Sequence, residues 1–261
     1  MKLTFYKYQG TGNDFVMVDN RDHKLSKNDT KLINHLCDRR FGVGADGLIL
    51  LENSEDPKDD FKMVYFNADG NESSMCGNGG RCLVAFSRFL GIIKDSARFT
   101  AIDGIHHATI GNGIVSLKMQ NVHTVQQEDN FLFLDTGSPH HVIFSTGIGL
   151  KDVRKEGAEI RYSDRYKNGG TNVNFVEAIS EATFSVRTYE RGVEDETLSC
   201  GTGVTAVALA AYQSGKTEAE AVTLITPGGE LSVNFKKDED GFSDIWLSGP
   251  AELVFKGEIL C

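Results

Sequence analysis

The sequence predicts an α/β (α+β) protein made of two pseudo-symmetric halves, each a curled mixed sheet around a central helix. Three observations predict it. One phrase occurs twice: Glu72-Ser73-Ser74-Met75-Cys76-Gly77-Asn78-Gly79 and Glu196-Thr197-Leu198-Ser199-Cys200-Gly201-Thr202-Gly203 both read E-[ST]-x-x-C-G-x-G. The register then holds without a gap, pairing Gly91 with Gly215, Ala97 with Ala221 and Gly104 with Gly228. A fixed offset over such a length marks an internal duplication. Finally, each phrase runs into an apolar helical segment followed by a short strand.

The elements follow in order. Leu3–Tyr8 and Phe15–Asp19 read as strands around the turn Gly10-Thr11-Gly12-Asn13. Asn28–Cys37 has helical spacing, with Leu32, Ile33 and Leu36 on one side. Leu48–Leu51 is a short apolar strand, 52–60 an acidic loop, and Phe61–Phe66 alternates like a strand. After Cys76, Leu83, Phe86, Phe89 and Leu90 share a helical face, and Gly91 is placed to stop the helix. After Cys200, Val204–Tyr212 is apolar almost all round, so this helix should be buried on every side, with Gly215 as its stop. Strands are expected at Phe99–Ile102 and Val222–Thr226. The polar stretch Asn121–Asn130 reads as the linker, and the second half opens near Phe131 with a strand and then Thr136-Gly137-Ser138. Leu231–Phe235 and Ile245–Leu247 flank the charged turn 236–241 as a hairpin. The halves are expected at residues 1–121, carrying Cys76, and 122–251, carrying Cys200.

The bulk numbers suit a globular chain of two ordinary domains: 261 residues, 40% hydrophobic and 25% charged. A net charge of -10 without a Lys/Arg cluster argues against a nucleic-acid partner and for a small-molecule ligand. The N-terminal apolar run is too short for a signal peptide, and no stretch approaches a membrane span. The five cysteines, Cys37, Cys76, Cys82, Cys200 and Cys261, include no C-x-x-C pair. Disulfide scaffolding and a zinc site are therefore not expected, and a reducing cytoplasm suits the thiols.

A thiol at a helix N-terminus faces backbone N–H groups without intrahelical partners and the positive end of the helix dipole. Both favour thiolate. The glycines that follow let the backbone come close to a ligand, and the same N–H groups can hold a carboxylate. Two such ends facing one another would grip a substrate carboxylate with a thiol on either side of the adjacent carbon. That arrangement suits inversion of a stereocentre bearing a hydrogen: one thiolate removes a proton and the opposite thiol returns one. Cys37, Cys82 and Cys261, outside the repeat, read as inert small hydrophobes.

Other motifs carry less. Gly42-Val43-Gly44-Ala45-Asp46-Gly47 fits G-x-G-x-x-G but precedes a strand, so it does not read as a dinucleotide fingerprint. No P-loop is present. His106 and His107 read as ordinary strand residues. His140 and His141 follow Ser138-Pro139 and read as hydrogen-bonding groups at a strand end. Glu190 and Arg191 lie upstream of Cys200 and read equally as a solvated loop pair or as groups that hold the ammonium and a second carboxylate of a zwitterion.

Together these residues resemble the diaminopimelate epimerase family. The resemblance rests on Met75 to Cys82, on Tyr189-Glu190-Arg191-Gly192 with Glu196-Thr197 and Cys200 to Gly203, and on five further segments in the family's order. Those are Gly12-Asn13-Asp14-Phe15, the 42–47 glycine run, Phe66-Asn67-Ala68-Asp69-Gly70, Ser138-Pro139-His140 and Asn172-Val173-Asn174-Phe175. The resemblance implies interconversion of LL- and meso-diaminopimelate without a cofactor or a metal, on the route to lysine and peptidoglycan. It implies Cys76 and Cys200 as the catalytic pair, with His140 and Glu190 assisting. It implies substrate contacts from Asn13, Asn67, Gly77, Asn78, Asn172, Glu190, Arg191, Gly201 and Thr202. It also implies that the C-terminal strand, 252–261, returns to the first half, and that the protein is a homodimer. Two positions depart from many members: Gly47 stands where they carry glutamine, and Ser138 where they carry asparagine. The alternatives are an amino-acid racemase or epimerase of the proline or hydroxyproline type on the same fold, and a binding protein or redox sensor built on the two thiols.

Overall fold

The computed structural model describes residues 2–261. The chain folds as two compact units: the first runs to Leu117 and takes in Gly249–Cys261, and the second is Lys118–Ser248.

The first unit contains β1 (Lys2–Gly10), β2 (Asn13–Asp19), α1 (Thr30–Cys37), β3 (Gly47–Glu52), β4 (Phe61–Asn67), β5 (Glu72–Ser73), α2 (Gly77–Phe89), β6 (Ser96–Ala101), β7 (Gly104–Gly111) and β8 (Ile114–Lys118). β1 and β2 form a hairpin whose turn residues, Thr11 and Gly12, both have positive φ, 49° and 87°. That is the turn twist that matches two flanking strands, and it makes Asn13 the first residue of β2. β3 lies parallel to β2, β4 antiparallel to β3, and β6 parallel to β4. Alternation decides which helix each strand face meets. Phe15, Met17, Ile49 and Leu51 pack with Leu83, Val84 and Phe86 of α2, while Val16, Val18, Leu48 and Leu50 pack with Ile33 and Leu36 of α1.

The second unit repeats the plan. It contains β9 (Val125–Gln127), β10 (Leu132–Asp135), β11 (Pro139–Phe144), α3 (Val153–Arg161), β12 (Asn172–Ser180), β13 (Thr183–Glu190), β14 (Asp195–Thr197), α4 (Gly201–Gln213), β15 (Ala221–Thr226), β16 (Gly229–Asp238) and β17 (Gly241–Pro250). β10–β11 is antiparallel, β11–β12 parallel, β12–β13 antiparallel and β13–β15 parallel, the same series as β1–β2, β2–β3, β3–β4 and β4–β6. In the first unit β1 pairs antiparallel with the last strand, β18 (Glu252–Leu260); in the second, β10 pairs antiparallel with β9. α4 is buried from Val204 to Ala211 without a polar face, as its composition requires. Its alanines at 206, 208, 210 and 211 let strands approach closely. Both central helices end as expected. Gly91 and Gly215 have φ of 73° and 69°, and the next amide reaches back to Ser87 and Ala211 at 3.0 and 2.9 Å.

Some expectations change. The stretch 121–130 is not a bare linker, because Val125–Gln127 forms β9 and completes the second sheet. α1 starts at Thr30 and not Asn28, since the Asp29 carboxylate caps it by accepting from the Leu32 amide at 3.0 Å. The last hairpin is longer than expected: β16 runs to Asp238 across a register shift at 234–236, and only two residues turn the chain. His106 and His107 do lie on a strand, β7.

Candidate active site

Both repeated cysteines are helix N-caps with extended backbone, Cys76 (φ -88°, ψ 128°) for α2 and Cys200 (φ -118°, ψ 114°) for α4. Neither side chain caps its own helix, so each sulfur is left for other partners. The carbonyls of Cys76 and Cys200 accept the first intrahelical bonds, from Gly80 at 2.7 Å and Val204 at 3.0 Å.

In the first unit, the ends of three neighbouring strands supply the expected residues beside Cys76. Phe15 of β2 pairs with Gly47 of β3, which pairs with Asn67 of β4. Asn13 stands two residues before that rung, and Asn67 is exposed at the end of it. The Asn13 carbonyl oxygen lies 3.6 Å from Cys76 Sγ and 3.4 Å from Asn78 Nδ2. Asn78 is buried and accepts from Arg81 Nη2 at 3.0 Å. Gly47 has no room for a side chain. An added Cβ would stand 2.5 Å from the Phe66 carbonyl oxygen and 2.5 Å from the Tyr65 ring.

In the second unit, a continuous chain of hydrogen bonds runs to Cys200. Thr202 Oγ1 lies 3.5 Å from Cys200 Sγ and 2.9 Å from His140 Nε2. His140 is fully buried on β11, and its Nδ1 is 3.0 Å from Asn174 Nδ2. The same Asn174 nitrogen donates to the His141 carbonyl, and its oxygen accepts from Thr188, so the Asn174 orientation is fixed. His140 Nδ1 is therefore the acceptor, and Nε2 carries the hydrogen. Burial, reinforced by the Arg191 charge, pushes the His140 pKa down to about 3, so the ring is neutral. Asn172, opposite His140 across β11–β12, accepts from the Arg191 amide at 2.8 Å and donates to Ser138 Oγ at 3.0 Å. Arg191 also reaches the Gly169 carbonyl at 2.8 Å and Ser138 Oγ at 3.4 Å, so serine at 138 retains a role. Glu190, half-buried, is the last residue of β13. Gly203 lies against the site: a Cβ there would stand 2.7 Å from Asn174 Oδ1 and 3.2 Å from Cys200 Cβ.

The expected residues thus gather in two groups: Asn13, Asn67, Cys76, Gly77 and Asn78 in the first unit, and His140, Asn172, Glu190, Arg191, Cys200, Gly201 and Thr202 in the second. The sequence reading missed the roles of Asn174, Asp46 and Arg81. Asn174 had a signal, since a strand places Asn172 and Asn174 on the same face. Cys82 and Cys37 are buried, and burial raises each thiol to about 12, in keeping with inert residues. Among the described residues no group of three His, Cys, Asp or Glu side chains is arranged to hold a metal, and no helix is long and apolar enough to cross a membrane.

Comparisons with known proteins identify the family. The family model for diaminopimelate epimerase covers residues 5–125 and 132–254. A diaminopimelate epimerase of Flavobacterium psychrophilum is 60% identical over 260 residues, 99% of this chain and 100% of that protein. One from Aquifex aeolicus is 39% identical over 277 residues, 98% of each. Among solved structures, a Bacillus anthracis phenazine biosynthesis protein of the PhzF family superposes with a TM-score of 0.81 at 15% identity, over 100% of each chain. A hydroxyproline epimerase from Agrobacterium vitis gives 0.68 at 14%, over 99% of this chain and 92% of that one. At these identities the two structures establish the shared fold.

Proposed function

The chain belongs to the diaminopimelate epimerase family and is an isomerase, and we propose that it interconverts LL- and meso-diaminopimelate with Cys76 and Cys200 as its acid and base, without a cofactor. The observation that carries this reading is the pair of N-cap thiols, one at the head of each central helix, in otherwise matching units. The reaction requires both to address one substrate carbon. A thiolate takes the α-hydrogen as a proton from one face. The electron pair left on carbon spreads into the substrate carboxylate, and the opposite thiol then delivers its proton to the other face. After one turnover the two sulfurs have exchanged protonation states, which suits a reversible reaction.

The difficult step is forming charge at a carbon whose acidity is low. Amide N–H groups in the first turns of α2 and α4, including those of Gly77, Asn78, Gly201 and Thr202, supply donors for the carboxylate as that charge develops. The Thr202 hydroxyl accepts from His140 Nε2–H, which turns its own hydrogen toward Cys200. A donor aimed at this sulfur favours its thiolate, so Cys200 starts as the base. Arg191 is suited to the second carboxylate of the substrate, and Glu190 to an ammonium, with Asn67 and Asn172 as further polar contacts.

Proton NMR in heavy water tests this. With LL-diaminopimelate, α-hydrogen is expected to wash out as the meso form accumulates, and proline is expected to remain unexchanged. Cys76→Ala and Cys200→Ala should each lower epimerisation by at least about 100-fold, as loss of a general acid or base does. Either variant turning over at the wild-type rate refutes the mechanism; exchange of proline in place of diaminopimelate moves the protein to the racemase reading.

A further inference from the structure

The G-x-G-x-x-G run carries Asp46 just before its last glycine, and this carboxylate stands directly behind Asn13. Asn13 Nδ2 donates to Asp46 Oδ2, and the Asp14 amide donates to the same oxygen at 3.2 Å. Arg39 Nη2 holds the other oxygen, Oδ1, at 2.8 Å and also grips Asp14 through both nitrogens at 2.7 and 3.0 Å. A carboxylate only accepts, so the Asn13 NH₂ must face Asp46 and its carbonyl must face the other way. That carbonyl meets Cys76 Sγ and Asn78 Nδ2. At the far end Arg81, which only donates, takes Asn78 Oδ1 and so fixes the second amide in the same sense. Arg81 is fully buried, its Nη2 also bonds Thr11, and its Nη1 has no hydrogen-bond partner. Two amides are thus polarised between a guanidinium at one end and a carboxylate at the other.

We propose that Asp46 is a positioning residue for the reaction: through Asn13 it holds an acceptor against Cys76 and keeps that sulfur protonated, as the acid of the pair, until substrate arrives. The inference rests on the reading of Cys76 as a reacting thiol. A carbonyl oxygen can accept a hydrogen bond from S–H but offers a thiolate nothing, so it opposes the pull of the helix N-terminus. The other titratable or charged groups near Cys76 in its own unit include Arg81 and Cys82 on α2, Arg39, Lys7 and Asp14 behind Asn13, and Asp103, whose carboxylate bonds the Met75 backbone. None of these presents an acceptor oriented by Asp46.

The test is the pH dependence of iodoacetamide alkylation at Cys76, read by mass spectrometry on the peptide ending at Arg81. In Asp46→Asn the amide nitrogen of the new side chain takes the place of Oδ2, because Arg39 keeps the carbonyl oxygen. A donor then faces both the Asn13 NH₂ and the Asp14 amide, so Asn13 loses the acceptor that holds it, and its carbonyl is no longer kept against the sulfur. The alkylation midpoint should fall by about half to one pH unit, the worth of one hydrogen bond. Asn13→Ala alone, at a half-exposed position, should also lower the midpoint, since the acceptor is lost. Asp46→Asn on the Asn13→Ala background should add no further shift. An equal shift on that background means that Asp46 acts on the thiolate through space, and overturns the proposal. So does an unchanged or raised midpoint in Asp46→Asn. If that variant does not fold, a raised midpoint in Asn13→Ala decides the same way. The heavy-water assay on the wild type reads the function separately: absence of epimerisation there would sink the proposed reaction and leave the thiol shift standing.

Discussion

The two units share strand order, pairing sense and a cysteine at the head of the central helix, yet surround that cysteine with different chemistry. Cys76 meets the carbonyl of an amide held by a carboxylate, an acceptor. Cys200 meets a hydroxyl held by a neutral histidine, a donor. Even the hairpin turns differ in what they tie down: Thr11 Oγ1 accepts from the Arg81 guanidinium, whereas Thr136 Oγ1 donates to the Thr202 carbonyl at 2.8 Å. Duplication supplied two equivalent thiols, and in the proposed mechanism the differing neighbours set them in opposite starting states. The proposed two-thiol epimerisation needs that difference, because two thiolates or two thiols could not begin it.

The largest expected effect that bears on this contrast comes from Thr202→Val, which keeps the shape and removes the hydroxyl between His140 and Cys200. A hydrogen bond to a charged group is worth about 1.5–3 kcal/mol, so kcat should fall about 10- to 100-fold. The alkylation midpoint of Cys200 should rise while that of Cys76 stays in place. Equal movement of both midpoints would break the claim that each thiol is set by its own unit.

The next effect compares equivalent glycines of the two C-G-x-G phrases. A Cβ at Gly203 would stand 2.7 Å from Asn174 Oδ1 and 3.2 Å from Cys200 Cβ, beside a hydrogen-bonded buried group. At Gly79 it would meet the Ile49 Cδ1 tip at 2.9 Å and the Phe15 ring edge at 3.4 Å, apolar groups of which the first can rotate aside. Gly203→Ala should therefore cost about 1–3 kcal/mol, the range for overpacking, and Gly79→Ala less. Paired urea titrations check the order, and a reversed order would show that the Asn174 side is the more yielding.

Much of this was legible beforehand because duplication is a pattern in the chain itself. The repeated phrase gave the two thiols, and the all-apolar run 204–212 gave a helix buried on every side. Strand β9 was not legible: Val125-Gln126-Gln127 is polar, and its pairing with β10 is set by the sheet edge it completes. Glycine 47 read as a departure, and only the folded chain shows the Phe66 carbonyl and the Tyr65 ring pressed against it. Asp46 was in plain view within a glycine motif, but its partner Asn13 lies on a neighbouring strand 33 positions away. Sequence spacing carries no record of such a contact until the parallel pairing of β2 with β3 is known.

The smallest effect concerns acid stability, and it too separates the units. His140 and His141, adjacent on β11, are held neutral, His140 at about 3 by burial and the Arg191 charge, His141 at about 4 by burial and the Arg165 charge. The matching strand in the first unit, β2, has no histidine. Unfolded, both rings would titrate near 6.5, so between that pH and their folded values the unfolded chain binds protons that the folded chain refuses. As far as these two rings are concerned, stability should therefore be flat above about 6.5 and fall as the pH drops below it. In the first unit a half-buried carboxylate behind the site, Asp14, titrates in a different range. Burial works against its ionisation, but Arg39 and Lys7 outweigh it and hold the carboxyl at about 2, so its contribution is lost only below about 4. His140→Gln removes one of the two titrating rings. It should flatten the slope of unfolding free energy against pH between about 4.5 and 6.5, leaving the acid limb below 4 unchanged. Urea midpoints across that range check this, and a slope equal to that of the wild type would mean that His140 takes up its proton without unfolding the second unit.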